Sequence, residues 1–431
     1  MIRHETHSNR LDLLPLTIVL VSVLAACVPP RLEIQPPDGP ANSPTRPDFD
    51  LSGRMPELPL ALPGSSPLHL ASAALTDSIA DLLGGDYATA ADRLAAFLNR
   101  LEPGDERRVT ADLLGETLFL LGDWDRFLRY APFYSAGLFD DRILAQTFRG
   151  QAPFRSVIPA EPITLPLTAS QIGTPALMVS VNGRSSRLWL DTGAGLTVLT
   201  ESTARRCGIL PAGAKTTADT TTRHKVAVRG AIIRELQAGG VFFYNLPAIV
   251  LSDRDLRLPG PLGHPVALDG LIGWNALRHM SVELDLAAGF CRLGPSQPIV
   301  ENRRNLFWMG YPCACAAMAD GRPLVFGLDT GAAATSLRQP FLEKLGTQSL
   351  PRRTAKIAGA GGTESREVRF VPQLTVRLGG QSLVWRELAV WPVSGYALTP
   401  LDGVLGADLL AVARLELDPG AGRLVLHPRL R

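Results

Sequence analysis

The spacing of apolar residues changes along the chain, and the change separates a helical region from a strand-rich one. Between residues 68 and 150, apolar residues recur three or four positions apart, which is typical of amphipathic helices. The residues that set this period are Leu75, Ile79, Leu82, Leu83, Leu94, Phe97, Leu98, Leu113, Leu114, Leu118 and Leu121. Asp123-Trp124-Asp125 is a suitable start for a fourth helix, and Gly84 and Gly122 stand where turns are expected. The pattern predicts a small helical domain over 68–150.

The helical region is faintly similar to tetratricopeptide hairpins. The similarity rests on the segments "LLGGDYATAADRLAAFL" and "LLGETLFLLGDWDRFLRYA". The signature is incomplete, and such hairpins usually need several copies to bury a core. Two roles therefore stay open, namely packing on the rest of the protein or binding a protein partner.

From about residue 155 onward, short apolar runs alternate with turn residues, which indicates β-strands. The segments "VSVNGRSSRLWLDTGAGLTVL" and "AAMADGRPLVFGLDTGAAATSL" form an internal repeat. The step from Asn182-Gly183-Arg184 to Asp320-Gly321-Arg322 is the same as the step from Asp191 to Asp329. Asn-Gly and Asp-Gly favour tight hairpins, because both central positions of such turns need positive φ. The chain therefore contains a duplicated β-rich unit.

A second matched pair of segments extends the duplication. The segment "LDGLIGWNAL" at Leu268–Leu277 matches "LDGVLGADLL" at Leu401–Leu410, and Glu283-Leu284-Asp285 matches Glu416-Leu417-Asp418 at an identical offset. A unit of about 130 residues is too long for a solenoid repeat. We therefore expect two lobes of one structure. Their predicted boundaries are 155–295 and 306–431.

Each Asp-Thr-Gly follows an apolar strand and precedes an Asp-Gly-x-x-Gly segment, which starts at Asp269 in the first copy and at Asp402 in the second. This composite resembles the aspartyl protease family, both retropepsin-like and pepsin-like, over roughly residues 160–430. The resemblance implies a mainly β, bilobal fold of two closed barrel-like lobes, a polypeptide substrate and no cofactor. It implies that Asp191 and Asp329 are the catalytic pair. The supporting residues that it implies are Thr192, Gly193, Thr330, Gly331, Gly270, Gly273, Gly403 and Gly406.

The chemistry of two paired carboxylates agrees with this resemblance. Peptide hydrolysis without a metal or a nucleophilic side chain needs an activated water molecule. Two adjacent carboxylates share one proton, because they cannot both ionise easily. The ionised group can then act as a general base and the protonated group as a general acid. Thr192 and Thr330 can hydrogen-bond across the lobes, and Gly193 and Gly331 allow close backbone approach. Since each lobe supplies one aspartate, one chain can complete the site.

Aspartyl proteases also cover the substrate with a flexible hairpin, the flap. In the second lobe the glycine-rich segment "AKIAGAGGTESREV" is the candidate, with Gly359, Gly361 and Gly362 at its tip. Gly359 lies 30 residues after Asp329. The position 30 residues after Asp191 in the first lobe falls inside "TTADTTTRH", which lacks glycine. This departure from the retropepsin pattern predicts one working flap and one stiffer polar hairpin. Whether the first-lobe hairpin also acts as a flap stays open.

The N-terminal segment is typical of an export signal. Residues 1–26 have a basic start and an apolar stretch, and they lead into Leu24-Ala25-Ala26-Cys27. This ending resembles the lipobox of bacterial lipoproteins, which implies lipidation of Cys27 and attachment to a lipid bilayer. Val28 then favours the periplasmic face of the outer membrane. An ordinary secretion signal or a buried apolar helix are the alternatives. Residues 27–67 are rich in Pro, Gly and Ser, and they predict an extended tether.

Composition limits the remaining choices. The net charge of +2 and the absence of a Lys/Arg run argue against a nucleic-acid partner. No histidine spacing is typical of metal ligands, so no metal is expected. Disulfides and buried free thiols are both open for the four cysteines after the signal segment. These cysteines are Cys207, Cys291, Cys313 and Cys315. The favoured function is an envelope-anchored aspartic endopeptidase, and the alternative is a non-catalytic peptide-binding or adaptor lipoprotein.

Overall fold

A helical domain precedes two β-rich lobes, and this arrangement confirms the fold that the sequence predicts. The computed structural model describes residues 22–23, 30–35, 73–220, 222, 225–258, 260, 264–297, 304–346, 349–392 and 400–429. Two short strands come first, β1 at Ser22–Val23 and β2 at Arg31–Gln35. Among the described helices, none is both long and apolar enough to cross a membrane.

The helical domain contains the predicted helices and one more. Its helices are α1 Ala73–Gly84, α2 Tyr87–Leu98, α3 Asp105–Leu121, α4 Trp124–Tyr130 and α5 Phe139–Phe148, with 3-10 turns at Ala131–Phe133 and Ala136–Leu138. The Asp123 carboxylate caps α4 by accepting the Arg126 N–H at 3.2 Å. Gly122 ends α3 with a φ of +74°. The additional helix is α5, which packs against the first lobe.

The helical domain packs on both lobes, which is one of the two roles left open by the sequence. The rings of Tyr87 and of Trp308 in the second lobe form a T-shaped pair, with centroids 6.0 Å apart. In the first lobe, a Cβ on Gly230 would lie 2.8 Å from the side chain of Thr147 on α5. The core of the helices is therefore continuous with that of the lobes. Binding of a further protein partner stays a prediction.

The first lobe is built on a nine-stranded sheet with the path β3-β11-β8-β14-β7-β6-β10-β9, and β5 pairs with β6. The strands of this lobe are β3 Arg155–Val157, β4 Ile163–Pro166, β5 Thr168–Ala169, β6 Pro175–Val181, β7 Arg184–Leu190, β8 Thr197–Thr200, β9 Ala212–Ala218, β10 Val226–Ala238, β11 Val241–Leu251, β12 Arg257–Leu258, β13 Val266–Ala267, β14 Gly270–Ile272, β15 Ser281–Asp285 and β16 Phe290–Gly294. Its helices are α6 Glu201–Arg206 and α7 Trp274–Leu277.

The second lobe repeats this plan. Its strands are β17 Leu306–Trp308, β18 Pro312–Met318, β19 Pro323–Leu328, β20 Ser336–Arg338, β21 Arg352–Gly359, β22 Gly362–Leu378, β23 Gln381–Trp391, β24 Gly403–Leu405, β25 Ala413–Asp418 and β26 Arg423–Pro428. Its helices are α8 Gln339–Leu345 and α9 Leu409–Val412. Strand β14 runs parallel to β7 and antiparallel to β8, and β24 has the same relation to β19 and β20. The repeated sequence thus gives a repeated topology.

A five-stranded sheet with the order β26-β25-β15-β16-β4 joins the lobes. Its centre is the antiparallel pair of β15 and β25, which carry the repeated Glu-Leu-Asp segments. Glu283 lies opposite Glu416, and Arg292 and Arg414 each form an ion pair of 2.8 Å with Glu283. Equivalent strands of the two copies therefore pair with each other about a local two-fold axis.

Two strands from the N-terminal region lie on the second lobe, and β2 falls within the predicted extended tether. Strand β2 pairs antiparallel with β23, from Arg31 opposite Arg386 to Gln35 opposite Ser382. Leu32 and Ile34 pack against the core of the lobes. Strand β1, within the predicted signal segment, pairs with β21. Residues 1–21, 24–29 and 36–67 lie outside the described residues. They include Cys27 and most of the predicted signal segment and tether.

Candidate active site

Asp191 and Asp329 lie at the same point of each lobe, directly after β7 and β19. The Asp191 N–H donates to Ile272 O and the Asp329 N–H donates to Leu405 O, both at 3.0 Å. Both side chains are fully buried. A Cβ on Gly193 would lie 2.5 Å from Asp329 Cγ, and a Cβ on Gly331 would lie 2.4 Å from Asp191 Cγ. The lack of a side chain at these glycines lets the two loops cross and brings the two carboxyl groups together.

Thr192 and Thr330 lock the two loops to each other. The Thr192 Oγ1 accepts the Thr330 N–H at 3.0 Å and donates to Leu328 O at 2.8 Å. In the reciprocal pair, the Thr330 Oγ1 accepts the Thr192 N–H at 3.1 Å and donates to Leu190 O at 2.6 Å. All four hydrogen bonds are buried, which makes them costly to break. The structure thus contains the interlobe hydrogen bonds that the repeated motif predicts.

The surroundings of Asp191 favour its protonated form. Burial raises the pKa of the Asp191 carboxyl well above its ordinary value, and the neighbouring charge of Asp329 raises it further. Hydrogen bonds from the N–H groups of Ala194 and Gly193 to Asp191 Oδ1 oppose this shift. The net effect is a pair of carboxyl groups that retains a proton where isolated aspartates have lost theirs. Such a pair can supply a base and an acid at the same time.

The glycines of the two Gly-x-x-Gly segments allow β14 and β24 to cross beneath the aspartate loops. A Cβ on Gly273 would lie 2.4 Å from Leu196 O, and one on Gly406 would lie 2.4 Å from Ala334 C. Gly270 and Gly403 are as tightly enclosed, with backbone oxygens 2.1 and 2.4 Å from an added Cβ. All four positions therefore require glycine for the close backbone packing under the site.

A further pair of polar side chains supports the site and was missed in the sequence. Asn275 Oδ1 accepts the N–H and the hydroxyl of Thr197 at 2.9 and 3.0 Å. Asp408 Oδ1 does the same for Thr335 at 2.8 and 2.7 Å. Each threonine hydroxyl also accepts the N–H of the last glycine, Gly273 or Gly406. The internal repeat could have indicated these residues. Thr197 and Thr335 have the same separation as Asp191 and Asp329, and Asn275 and Asp408 have the same separation as Asp269 and Asp402.

The glycine-rich hairpin of the second lobe lies where a flap is expected. Gly359 pairs with Gly362 at the end of β21 and β22. Gly361 has a φ of +82°, which favours glycine. Its N–H donates to Asp255 O in the first lobe at 2.9 Å, and Ala358 and Ala360 are fully buried. The hairpin tip therefore bridges the lobes in a closed position.

The corresponding hairpin of the first lobe, β9–β10, is fastened to the helical domain by Asp140. This carboxylate accepts the Thr217 N–H at 3.0 Å and the hydroxyls of Thr217 and Thr216. Lys225 lies 3.6 Å from both Asp140 and Asp219. These contacts give a physical reason for a hairpin that is polar and has no glycine-rich tip.

The four cysteines that the structure describes are buried free thiols, so the free-thiol alternative is the one observed. The predicted lipidation site, Cys27, cannot be placed, because it lies outside the described residues. No cluster of at least three His, Cys, Asp or Glu side chains suited to a metal ion occurs in the described part of the chain.

Comparison with known protein families agrees with the geometry of the site. Residues 177–279 match the family model of gag-polyprotein aspartyl proteases, and residues 316–409 match a second aspartyl protease model. A comparison with curated proteins found no match. Each match contains one Asp-Thr-Gly loop and its Gly-x-x-Gly segment. The two lobes are therefore tandem aspartyl protease domains of the retropepsin-like family.

Proposed function

We propose that the protein is an aspartic endopeptidase whose single site is formed by Asp191 and Asp329. The observation that carries the proposal is the buried contact of two carboxyl groups across the lobes, fixed by the reciprocal hydrogen bonds of Thr192 and Thr330. An aspartate that only capped the turn after its own strand would not need to lie against the carboxyl group of the other lobe. Neither loop has a structural reason to place its carboxyl group against the other, since burial of two like charges is unfavourable.

The reaction follows from the shared proton. The ionised carboxylate accepts a proton from a water molecule as the water oxygen attacks the scissile carbonyl carbon. The protonated carboxyl donates its proton to the carbonyl oxygen, which gives a neutral tetrahedral diol. Collapse of the diol returns a proton to one carboxylate, while the amine leaves with the proton that the other carboxyl supplies. The two groups end with one shared proton, as they began.

The substrate class that suits this site is an extended polypeptide. An extended chain can pair with the flap as an added strand, and its backbone then supplies most of the hydrogen bonds. The flap tip touches Asp255 in the first lobe, so entry of a substrate requires this contact to open. Glycines at positions 361 and 362 suit such a movement, because their backbone reaches φ values that other residues avoid.

Cleavage of a peptide library by residues 28–431, from acidic to neutral pH, tests the proposed activity. We expect cleavage by the unmodified protein and a loss of about a thousandfold or more in Asp191→Asn and Asp329→Asn. Asp125→Asn is the matched control, because Asp125 is exposed and forms its ion pair with the exposed Arg149. Cleavage that survives both substitutions would disprove the proposal. No cleavage at any pH would favour a peptide-binding or adaptor protein that keeps the fold.

We also propose that the protein is a lipoprotein of the bacterial envelope, anchored through Cys27. The support is the sequence Leu24-Ala25-Ala26-Cys27 after an apolar stretch. Expression in a bacterium that processes lipoproteins, followed by mass spectrometry of the mature N-terminus, tests this. Diacylglycerol on Cys27 is expected, with a soluble protein from Cys27→Ser. An unmodified Cys27 in a chain cleaved elsewhere would contradict the anchor.

A further inference from the structure

Tyr311 directly precedes the strand that lies beside the second aspartate loop. Strand β18 pairs antiparallel with β19, with Cys313 opposite Gly327. Tyr311 is two positions before Cys313, and Asp329 is two positions after Gly327. Continued by two residues, the antiparallel register therefore places Tyr311 opposite Asp329. The phenol ring is buried, with 5% of the residue exposed. A large side chain with a polar end therefore lies next to the catalytic pair.

Two glycines make the space that Tyr311 fills. A Cβ on Gly327 would lie 2.8 Å from Tyr311 Cε1. A Cβ on Gly193 would lie 2.5 Å from the Tyr311 hydroxyl and 2.5 Å from Asp329 Cγ. The hydroxyl and the Asp329 carboxyl thus converge on the same spot above Gly193, although the two groups come from one lobe and Gly193 comes from the other.

The Tyr311 hydroxyl is a proton donor that needs an acceptor. Among the described residues no hydrogen bond of this hydroxyl meets standard geometry, but the side chain of Asp329 lies within hydrogen-bonding reach of it. Burial raises the pKa of the Tyr311 phenol well above its ordinary value, and the charges of Asp329 and Asp191 raise it further, against the opposing charge of Arg338. The phenol therefore stays protonated through the pH range of aspartate chemistry. A buried O–H without a partner is unfavourable, and Asp329 is the acceptor beside it.

The first lobe has no equivalent donor among its described residues. Gly173-Thr174-Pro175 stands where the second lobe has Gly310-Tyr311-Pro312. The register of β6 and β7, with Ala176 opposite Trp189, places Thr174 opposite Asp191. The Thr174 hydroxyl is engaged with Ser170 Oγ at 2.6 Å. The two aspartates are therefore chemically unequal, even though the lobes are duplicates.

We propose that Tyr311 is a positioning residue that donates its phenolic hydrogen to Asp329, and so keeps the shared proton on Asp191. A hydrogen bond from a neutral donor stabilises the ionised form of its acceptor. Asp329 is then the carboxylate that activates water, and Asp191 is the acid. The catalytic part of this assignment rests on the proposed peptidase function. The position of the proton does not, because it can be measured without turnover.

Tyr311→Phe tests the proposal through the titration of the catalytic pair. Loss of the donor is expected to move the lower ionisation of the pair to higher pH by about one unit. The shift should appear in a carboxyl ¹³C NMR titration and in the acidic limb of the pH dependence of kcat/KM. Tyr134→Phe is the control, since it removes a hydrogen bond to Phe127 O at 2.9 Å in the helical domain. This control should lower stability and leave the titration unchanged.

A titration of Tyr311→Phe that coincides with that of the unmodified protein would overturn the proposal. If Tyr311→Phe fails to fold, 3,5-difluorotyrosine at position 311 replaces it as a stronger donor of nearly the same shape. The lower ionisation should then move to lower pH, and no movement would equally overturn the proposal. A shifted titration in a protein that cleaves no peptide would disprove the peptidase function and leave the role of Tyr311 standing.

Discussion

At the scale of single residues, the site depends on groups whose ordinary chemistry is changed by burial. Asp191 and Asp329 follow apolar strands, so their charge is costly there and one proton is retained between them. Thr192 and Thr330 satisfy the buried backbone groups that surround this pair. The residue identities therefore fix both the protonation state and the geometry of the loops.

The raised pKa of Asp191 predicts a pH dependence of stability. A carboxyl whose pKa is higher in the folded state than in the unfolded state binds its proton more tightly when folded. Its contribution to the free energy of unfolding is complete below the ordinary pKa of 3.8, and it is lost as the pH rises through the folded value. The unfolding temperature of Asp191→Asn should therefore fall less than that of the unmodified protein between mildly acidic and neutral pH. Equal slopes in the two proteins would contradict the assigned shift.

Thr192→Ala should weaken the link between the lobes. The substitution leaves the Thr330 N–H and Leu328 O buried without their partner, which costs about 2 to 4 kcal/mol in the free energy of unfolding. Thr192→Ser keeps the hydroxyl and is expected to lose less than half of that amount. Urea unfolding of the three proteins measures the difference. Equal loss in the Ala and Ser variants would show that packing of the methyl group, and not the hydrogen bonds, is what matters.

At the scale of elements, the two hairpins that border the cleft have diverged. The β21–β22 hairpin has a glycine tip that touches the other lobe through a backbone hydrogen bond. The β9–β10 hairpin is instead bound to α5 through the Asp140 carboxylate. We therefore expect one mobile flap and one hairpin that the helical domain holds still.

Asp140→Ala should release the β9–β10 hairpin, because three donors from Thr216 and Thr217 lose their acceptor. Amide hydrogen exchange over residues 212–230 is expected to become faster by about tenfold or more. Asp125→Ala, which loses an exposed ion pair with Arg149, is the matched control and should leave this exchange unchanged. Unaltered exchange in Asp140→Ala would show that the strands alone hold the hairpin.

At the scale of the whole molecule, the duplication was readable from the sequence and the contacts between parts were not. Asp191, Asp329 and the Gly-x-x-Gly segments follow from local motifs with matched offsets. By contrast, Asp140 on α5 binds Thr217 of the first lobe, and β2 near the start of the chain pairs with β23 near its end. Such contacts cannot be recognised from a repeat or a period in the sequence. A polar or half-buried residue on its own does not indicate which distant residue it contacts.

The N-terminal strand predicts that part of the expected tether stabilises the second lobe. Leu32 and Ile34 face the core, whereas Glu33 and Gln35 are exposed. Replacing Leu32 and Ile34 together by Ala should lower the unfolding temperature by about 3 °C. Replacing Glu33 and Gln35 together by Ala should have little effect. Equal effects of the two double variants would contradict the docking of β2.

If Asp191 and Asp329 of one chain form one site, variants that each lack one of the two carboxyl groups should not complement each other. Peptide cleavage is measured for the unmodified protein, for Asp191→Asn, for Asp329→Asn and for an equimolar mixture of the two variants. We expect cleavage by the unmodified protein alone, with a rate proportional to its concentration. Cleavage by the mixture would show that the site is assembled between chains, and cleavage by either variant alone would show that the pair is not the catalytic centre.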